Sequence, residues 1–257
     1  MKHSFLDQYS DGNSFIHNLD PRTKFIGTIL FILALYLTPP GKWLAFAVYF
    51  GLMATLIVVS RVPVSYVLKR SLVIIPFVLV IAVFIPFFKE GEVLWSYSLG
   101  RWQVSVTDNG VQAMGNILAK SWLSILGLIL LSATTRMTSL LRAWEQLRFP
   151  RVMTLILSFM YRYIFVLTDE VLRMKQARDS RNFGGNRLRH IRTVGNMTGT
   201  LFLRSYERGE RVYAAMLARG FDGRSRTLDR LSFRQADIYF GIAFSLALTT
   251  TGILSIL

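Results

Sequence analysis

The chain has 257 residues, a formal net charge of +15 and no cysteine. Without cysteine it has no disulfide framework, no thiolate metal site and no cysteine nucleophile. Hydrophobic residues make up 52% of it and collect in long uncharged runs. That excludes an ordinary soluble domain and predicts an all-α, polytopic membrane protein.

Residues 1–20 carry His3 and His17 but no apolar run. They predict a cytoplasmic N-terminal arm rather than a cleavable signal peptide, so the first span itself directs insertion. Asp20-Pro21-Arg22-Thr23 predicts a helix start: the aspartate caps, and a proline at the first helical position gives up an N–H that has no partner there anyway. This helix runs to Leu37. Pro39-Pro40-Gly41 turns the chain, and a second helix covers about 42–59. A third covers 71–88, with Pro76 and Pro86 expected to bend it. A polar loop at 89–112 and a fourth helix at 113–135 complete a transmembrane block over 21–135, and 236–257 reads as a C-terminal transmembrane helix. The expected total is five spans, plus or minus one.

Orientation follows from Lys and Arg in the loops. The 61–70 loop has Arg61, Lys69 and Arg70 and no acid, whereas 89–112 has Lys89 and Arg101 against Glu90, Glu92 and Asp108. Fifteen of the thirty Lys and Arg lie within 169–235, with seven acids. Placing the basic segments inside makes 136–235 a cytoplasmic region and the 89–112 loop external, in the inner (cytoplasmic) membrane of a cell. The apolar stretch 152–170 strains this scheme, because as a full span it would put the arginines of 173–192 outside. A helix at the membrane surface with Arg162 snorkelling avoids this; a return span near 191–203 is the alternative.

The 136–235 region has helical periodicity, so it is not a disordered basic tail. Leu167, Val171, Met174 and Arg178 share one face, as do Phe202, Tyr206, Gly209, Tyr213 and Met216. Glu207 and Arg211, four apart, can pair on the polar face. Gly220 ends the second helix in left-handed geometry, and Asp222-Gly223 turns the chain. Arg178 and Arg219 therefore both stand near helix C-termini, each after an alanine. One such arginine is explained by the helix dipole, worth about 0.3–1 kcal/mol. Two on consecutive helices point to a docking surface, since a guanidinium fork suits a carboxylate-lined groove. The remaining basic residues fit a solvated face beside anionic lipid.

The pairing of "ARDSR" (177–181) with "AMLARGFDG" (215–223) resembles the T component of energy-coupling factor transporters. "LDPRTKF" (19–25), "LSFMYRYIFVLTDEVLRMKQARDSR" (157–181) and "RSYERGERVYAAMLARG" (204–220) are similar to its cobalt/nickel branch, the CbiQ family. The resemblance covers nearly the whole chain. It implies that Ala177-Arg178-Asp179 and Ala218-Arg219-Gly220 end cytoplasmic coupling helices and meet acidic residues on paired ATPase subunits of the ABC type. It also implies a separate substrate-binding membrane subunit that holds the ion. The first motif departs from the family's Ala-Arg-Gly form, and Asp179 can orient Arg178 internally.

The chain lacks the phosphate-binding G-x-x-x-x-G-K-[ST], and "RNFGGNR" (181–187) has glycines without the Lys-Ser/Thr. So no cofactor is expected in this chain, and ATP falls to partner subunits. His3, His17 and His190 form no ligand set with acids, which predicts no metal site. Asp169-Glu170 and Glu207/Glu210 have arginine neighbours and read as ion pairs rather than acid–base machinery. A membrane location and apolar helix stripes argue against nucleic acid. The expected function is a non-catalytic coupling subunit of a cobalt or nickel importer. The alternatives are the same role in a vitamin importer, or a membrane enzyme acting on a lipid-linked phosphate.

Overall fold

A computed structural model describes residues 9–10, 12–90, 92–99, 102–180, 187–223 and 233–256. Most of the histidine-bearing arm before Tyr9, the stretch 181–186 of "RNFGGNR" and residues 224–232 of the basic region lie outside the described residues. The elements are α1 (Pro21–Leu37), α2 (Trp43–Ser60), α3 (Val64–Phe88), β1 (Val93–Leu99), β2 (Trp102–Thr107), α4 (Asp108–Thr134), α5 (Met137–Gln146), α6 (Arg151–Ser180), α7 (Arg187–Ala218) and α8 (Gln235–Ile256). The chain divides into two compact units, Lys2–Leu140 with Leu231–Leu257, and Leu141–Arg230.

In the first unit α4 is the central column, packed against α1, α2 and α3, while α8 packs on α1 and α2. The core gathers Phe31 and Leu35 of α1, Tyr49 and Met53 of α2, Val67 of α3, Leu126 and Leu130 of α4 and Leu248 of α8. In lipid, helix association depends on close packing rather than on expelling water, so small residues matter. Gly127 of α4 illustrates this: a Cβ there would sit 3.1 Å from Met53 Cε. At the start of α4, where it meets α3, a Cβ on Gly110 would lie 2.6 Å from Pro86 Cα.

One end of α1 is closed by a polar knot. Asp20 caps α1, accepting from Arg22 N at 2.9 Å, and Pro21 occupies the first helical position, as the sequence predicts. Asp237 of α8 is 2% exposed; it accepts from Asp20 N at 2.7 Å through Oδ1 and from Arg234 N at 2.8 Å through Oδ2. Buried Lys24 donates from Nζ to His17 O at 3.0 Å and to Thr134 O at 2.9 Å. The start of α1, the end of α4 and the start of α8 are thereby tied together. At the opposite end of α1, Lys120 donates to Tyr36 O and Thr38 O, satisfying carbonyls that a helix terminus leaves open.

Three expectations change. The polar 89–112 loop is an antiparallel hairpin, Trp95 opposite Val106 and Leu99 opposite Trp102, followed directly by α4. The 61–70 loop shrinks to three residues: Arg61 takes a left-handed turn at φ 57° and α3 begins at Val64, so Lys69 and Arg70 lie in its early turns. The 152–170 stretch, expected as a helix at the membrane surface, runs on without a break to Ser180. It is the first part of the 30-residue α6, which joins α2, α3, α4 and α8 as the helices long and apolar enough to cross a membrane. Among the described residues such helices number five, with α6 in place of the 17-residue α1.

Candidate functional site

The second unit holds both arginine motifs. α6 and α7 pack on each other, and an ion-paired cluster joins them. Glu170 of α6 takes Arg204 Nη1 of α7 on Oε1 and Arg173 Nη2 of its own helix at 3.0 Å on Oε2. The local Glu–Arg neighbourhood was legible in sequence, but the partner 34 residues away was not. On the polar face of α7, Glu207 and Arg211 pair at 3.7 Å as their spacing predicts.

The two helix ends differ in chemistry. Arg178 stands in the last turn of α6, and Nε and Nη2 both donate to Asp179 Oδ1, at 3.0 and 2.8 Å. Its side chain is 15% exposed, against 54% for Asp179. Ala177 beside it is exposed. Arg219 caps the end of α7. Phe221 N donates to Met216 O at 3.0 Å and Gly220 N to Leu217 O at 2.9 Å, with Gly220 at φ 75°. That is a Schellman turn, which needs a residue tolerant of left-handed backbone at Gly220. The turn satisfies α7's terminal carbonyls through the backbone, so the Arg219 side chain is not required for capping. Ala218, Arg219 and Gly220 are exposed, and the Arg219 guanidinium has no partner among the described residues.

Apolar groups also stand uncovered on this unit. None of the described residues of α7 is buried, and Phe202, Tyr206 and Tyr213 of its predicted stripe are 58–69% exposed. On α6, Val152, Ile156, Met160 and Ile164 recur every four residues and are exposed. Exposed patches rimmed by polar groups mark interaction surfaces. The sequence periodicity located these faces but did not say that they would stay uncovered within the chain. Among the described residues no three His, Asp or Glu side chains gather as a metal site, and His190 is exposed on α7.

The family described as cobalt transport protein, CbiQ, matches residues 12–228. The chain is 30% identical to the energy-coupling factor transporter transmembrane protein EcfT of Brevibacillus brevis, over 90% of this chain and 91% of that one. It is 29% identical to the EcfT of Ruminiclostridium cellulolyticum, over 91% and 90%. An uncharacterised protein of Methanocaldococcus jannaschii is 28% identical over 95% of this chain and 84% of its own.

Proposed function

Because the chain belongs to the CbiQ cobalt transport family of energy-coupling factor T components, multi-pass subunits of the cell membrane, we propose that it is the coupling subunit of an ATP-driven cobalt or nickel importer. The family is one of transporter subunits, not enzymes, which removes the reading as an enzyme on lipid-linked phosphate. In this reading the chain binds no cofactor of its own. ATP is bound and hydrolysed by partner ATPases of the ABC type, and a separate membrane subunit holds the ion. Residues 136–235 form the coupling region, with the α6 and α7 ends that carry Arg178 and Arg219 in the cytoplasm.

The observation that carries the reading is Arg219, an exposed cation without a partner among the described residues, at a helix end whose backbone is already capped. Ala218 and Gly220 flank it without covering it. Arg178 is the second contact, held ready by Asp179. When an acidic groove arrives, the guanidinium exchanges one carboxylate for another. The exposed stripes of α6 and α7 supply the apolar area for the substrate subunit and the lipid surface. Metal rather than vitamin cargo is favoured by the "ARDSR" form of the first motif and by the family matched.

The experiment is co-purification of the ATPases with Arg178→Ala, Arg219→Ala and the double variant, followed by cobalt and nickel uptake in cells. Truncating one half of a desolvated charge pair costs about 2–5 kcal/mol, whereas a rim contact costs about 0–1 kcal/mol. Each single variant is expected to weaken association and the double variant to abolish uptake, with Arg192→Ala as a mild control. A double variant that keeps its ATPases and transports normally refutes the docking role. Uptake of a vitamin and of neither metal would move the chain to the vitamin branch.

A further inference from the structure

A polar cavity of about 260 Å3 opens in the spanning unit where α1 begins, α4 ends and α5 begins. Its walls include Ser10, His17, Lys24, Thr135, Arg136 and Ser139. Two of its described lining residues, Lys24 and Arg136, are basic and none is an acid; the acids of the knot, Asp20 and Asp237, are not among them.

Three features of the wall offer hydrogen-bond donors. Lys24 Nζ gives two of its three N–H groups to His17 O and Thr134 O, which leaves one over. Thr135 is 5% exposed, and its Oγ1 is buried without any hydrogen-bond partner. Buried polar groups are nearly always satisfied, so an orphaned hydroxyl at a cavity wall points to a missing ligand. Arg136 O accepts from Ser139 N and Leu140 N, so the first turn of α5 starts at the cavity. The N–H groups ahead of Ser139 have no acceptor within their helix, and the positive end of its dipole favours an anion there. His17 is already committed, with Nε2 on Tyr9 O and Nδ1 on the Ser14 hydroxyl.

We propose that this cavity binds a phosphate-bearing anion, gripped by Lys24, the Thr135 hydroxyl, Arg136 and the first turn of α5. The volume is several times the roughly 30 Å3 share of a water molecule, enough for a phosphate and the start of its ester. The cavity lies at the end of α4, a helix long and apolar enough to cross a membrane, and such a helix ends near the lipid headgroups. The phosphate therefore comes either from an anionic lipid or from free inorganic phosphate. The site is built from the spanning unit alone and stands whether or not the coupling role of Arg219 does.

The test uses the full chain in phosphate-free detergent. One arm titrates inorganic phosphate, a second titrates short-chain phosphatidylglycerol, and phosphatidylcholine of the same chain length is the control. Melting temperature and ligand retention by native mass spectrometry are read for the wild type, Thr135→Val, Arg136→Gln and Ser139→Ala. A saturable rise in melting temperature is expected in at least one of the first two arms. A response to both identifies a free-anion site, and a response to phosphatidylglycerol alone identifies a headgroup site. Thr135→Val and Arg136→Gln should each weaken that response about tenfold, the scale of one charge-assisted hydrogen bond. Thr135→Val should melt no lower than wild type without ligand, because it removes an unpaired hydroxyl; a purely structural threonine would behave in the opposite way. The proposal is overturned if neither arm stabilises the chain, if the variants respond like wild type, or if ligand-free Thr135→Val melts lower.

Discussion

The spanning unit and the α6–α7 unit handle the same two kinds of group in opposite ways. In the spanning unit the charges of Asp20, Lys24 and Asp237 are buried and bonded to backbone groups of three helices, and the aromatic rings of Phe31 and Tyr49 pack edge to face in the core. In the α6–α7 unit the rings of Phe202, Tyr206 and Tyr213 are exposed, and Arg219 ends its helix without a counter-ion among the described residues. Among the described residues, the first unit bonds its buried charges internally, while the second leaves Arg219 and an aromatic stripe exposed.

The comparison breaks most easily at the knot. Asp237→Ala leaves the N–H groups of Asp20 and Arg234 without their acceptor and Lys24 with one fewer nearby negative charge. Removing one partner from a buried charged network costs about 3–5 kcal/mol, so the variant should lose most folded protein on size exclusion in detergent. Next comes Gly110→Val, which drives a side chain toward the Pro86 backbone. Overpacking of this kind costs about 1–3 kcal/mol and should lower the melting temperature without touching α6 or α7.

Changes in the second unit should register weakly in stability and strongly in assembly. Glu170→Gln breaks the ion pairs to Arg204 and Arg173, which solvent screens enough that the loss of stability should be small. A double-mutant cycle with Arg204→Gln measures it. Glu207→Gln should cost still less, about 0.2–0.5 kcal/mol for a pair four residues apart on a helix. Topology sharpens the same contrast. Single cysteines at Ser65 and Glu210 should resist an impermeant maleimide in intact cells, while one at Glu92 should react; the reverse pattern would turn the molecule over.

Local signals were readable in the sequence and distant ones were not. The cap at Asp20, the turn at Gly220 and the Glu207–Arg211 pair each depend on residues within about one helical turn, and all three are found. The hairpin had a signal that hydropathy hid: Trp95-Ser96-Tyr97-Ser98-Leu99 alternates with the period of a strand, inside a segment that stands out first for its charges. Helix α3 starts earlier than expected because its first turns carry Lys69 and Arg70, which mark the end of the apolar run but not the end of the helix. Asp237 reads in sequence as a lone acid near the start of α8. Its role depends on Asp20, 217 residues away, and no local pattern carries that. At the arginine motifs the sequence singled out both residues, but not the asymmetry between a forked Arg178 and an open Arg219. Asp179→Ala should make the two alike, freeing Arg178 and changing ATPase affinity while leaving the unfolding free energy within about 1 kcal/mol of wild type.

The central claim is that the Arg219 helix end touches an ATPase, and cross-linking tests it most directly. In this cysteine-free chain, Ala218→Cys places a single thiol next to Arg219 without removing it, and Glu92→Cys serves as the control. Both are treated with a short bifunctional maleimide–photoreactive reagent in membranes containing the whole transporter. The account predicts an ATPase adduct from position 218, none from position 92, and a sharp drop in yield when Arg219→Ala is added to Ala218→Cys. No ATPase adduct from position 218, or a yield that Arg219→Ala leaves unchanged, would contradict it.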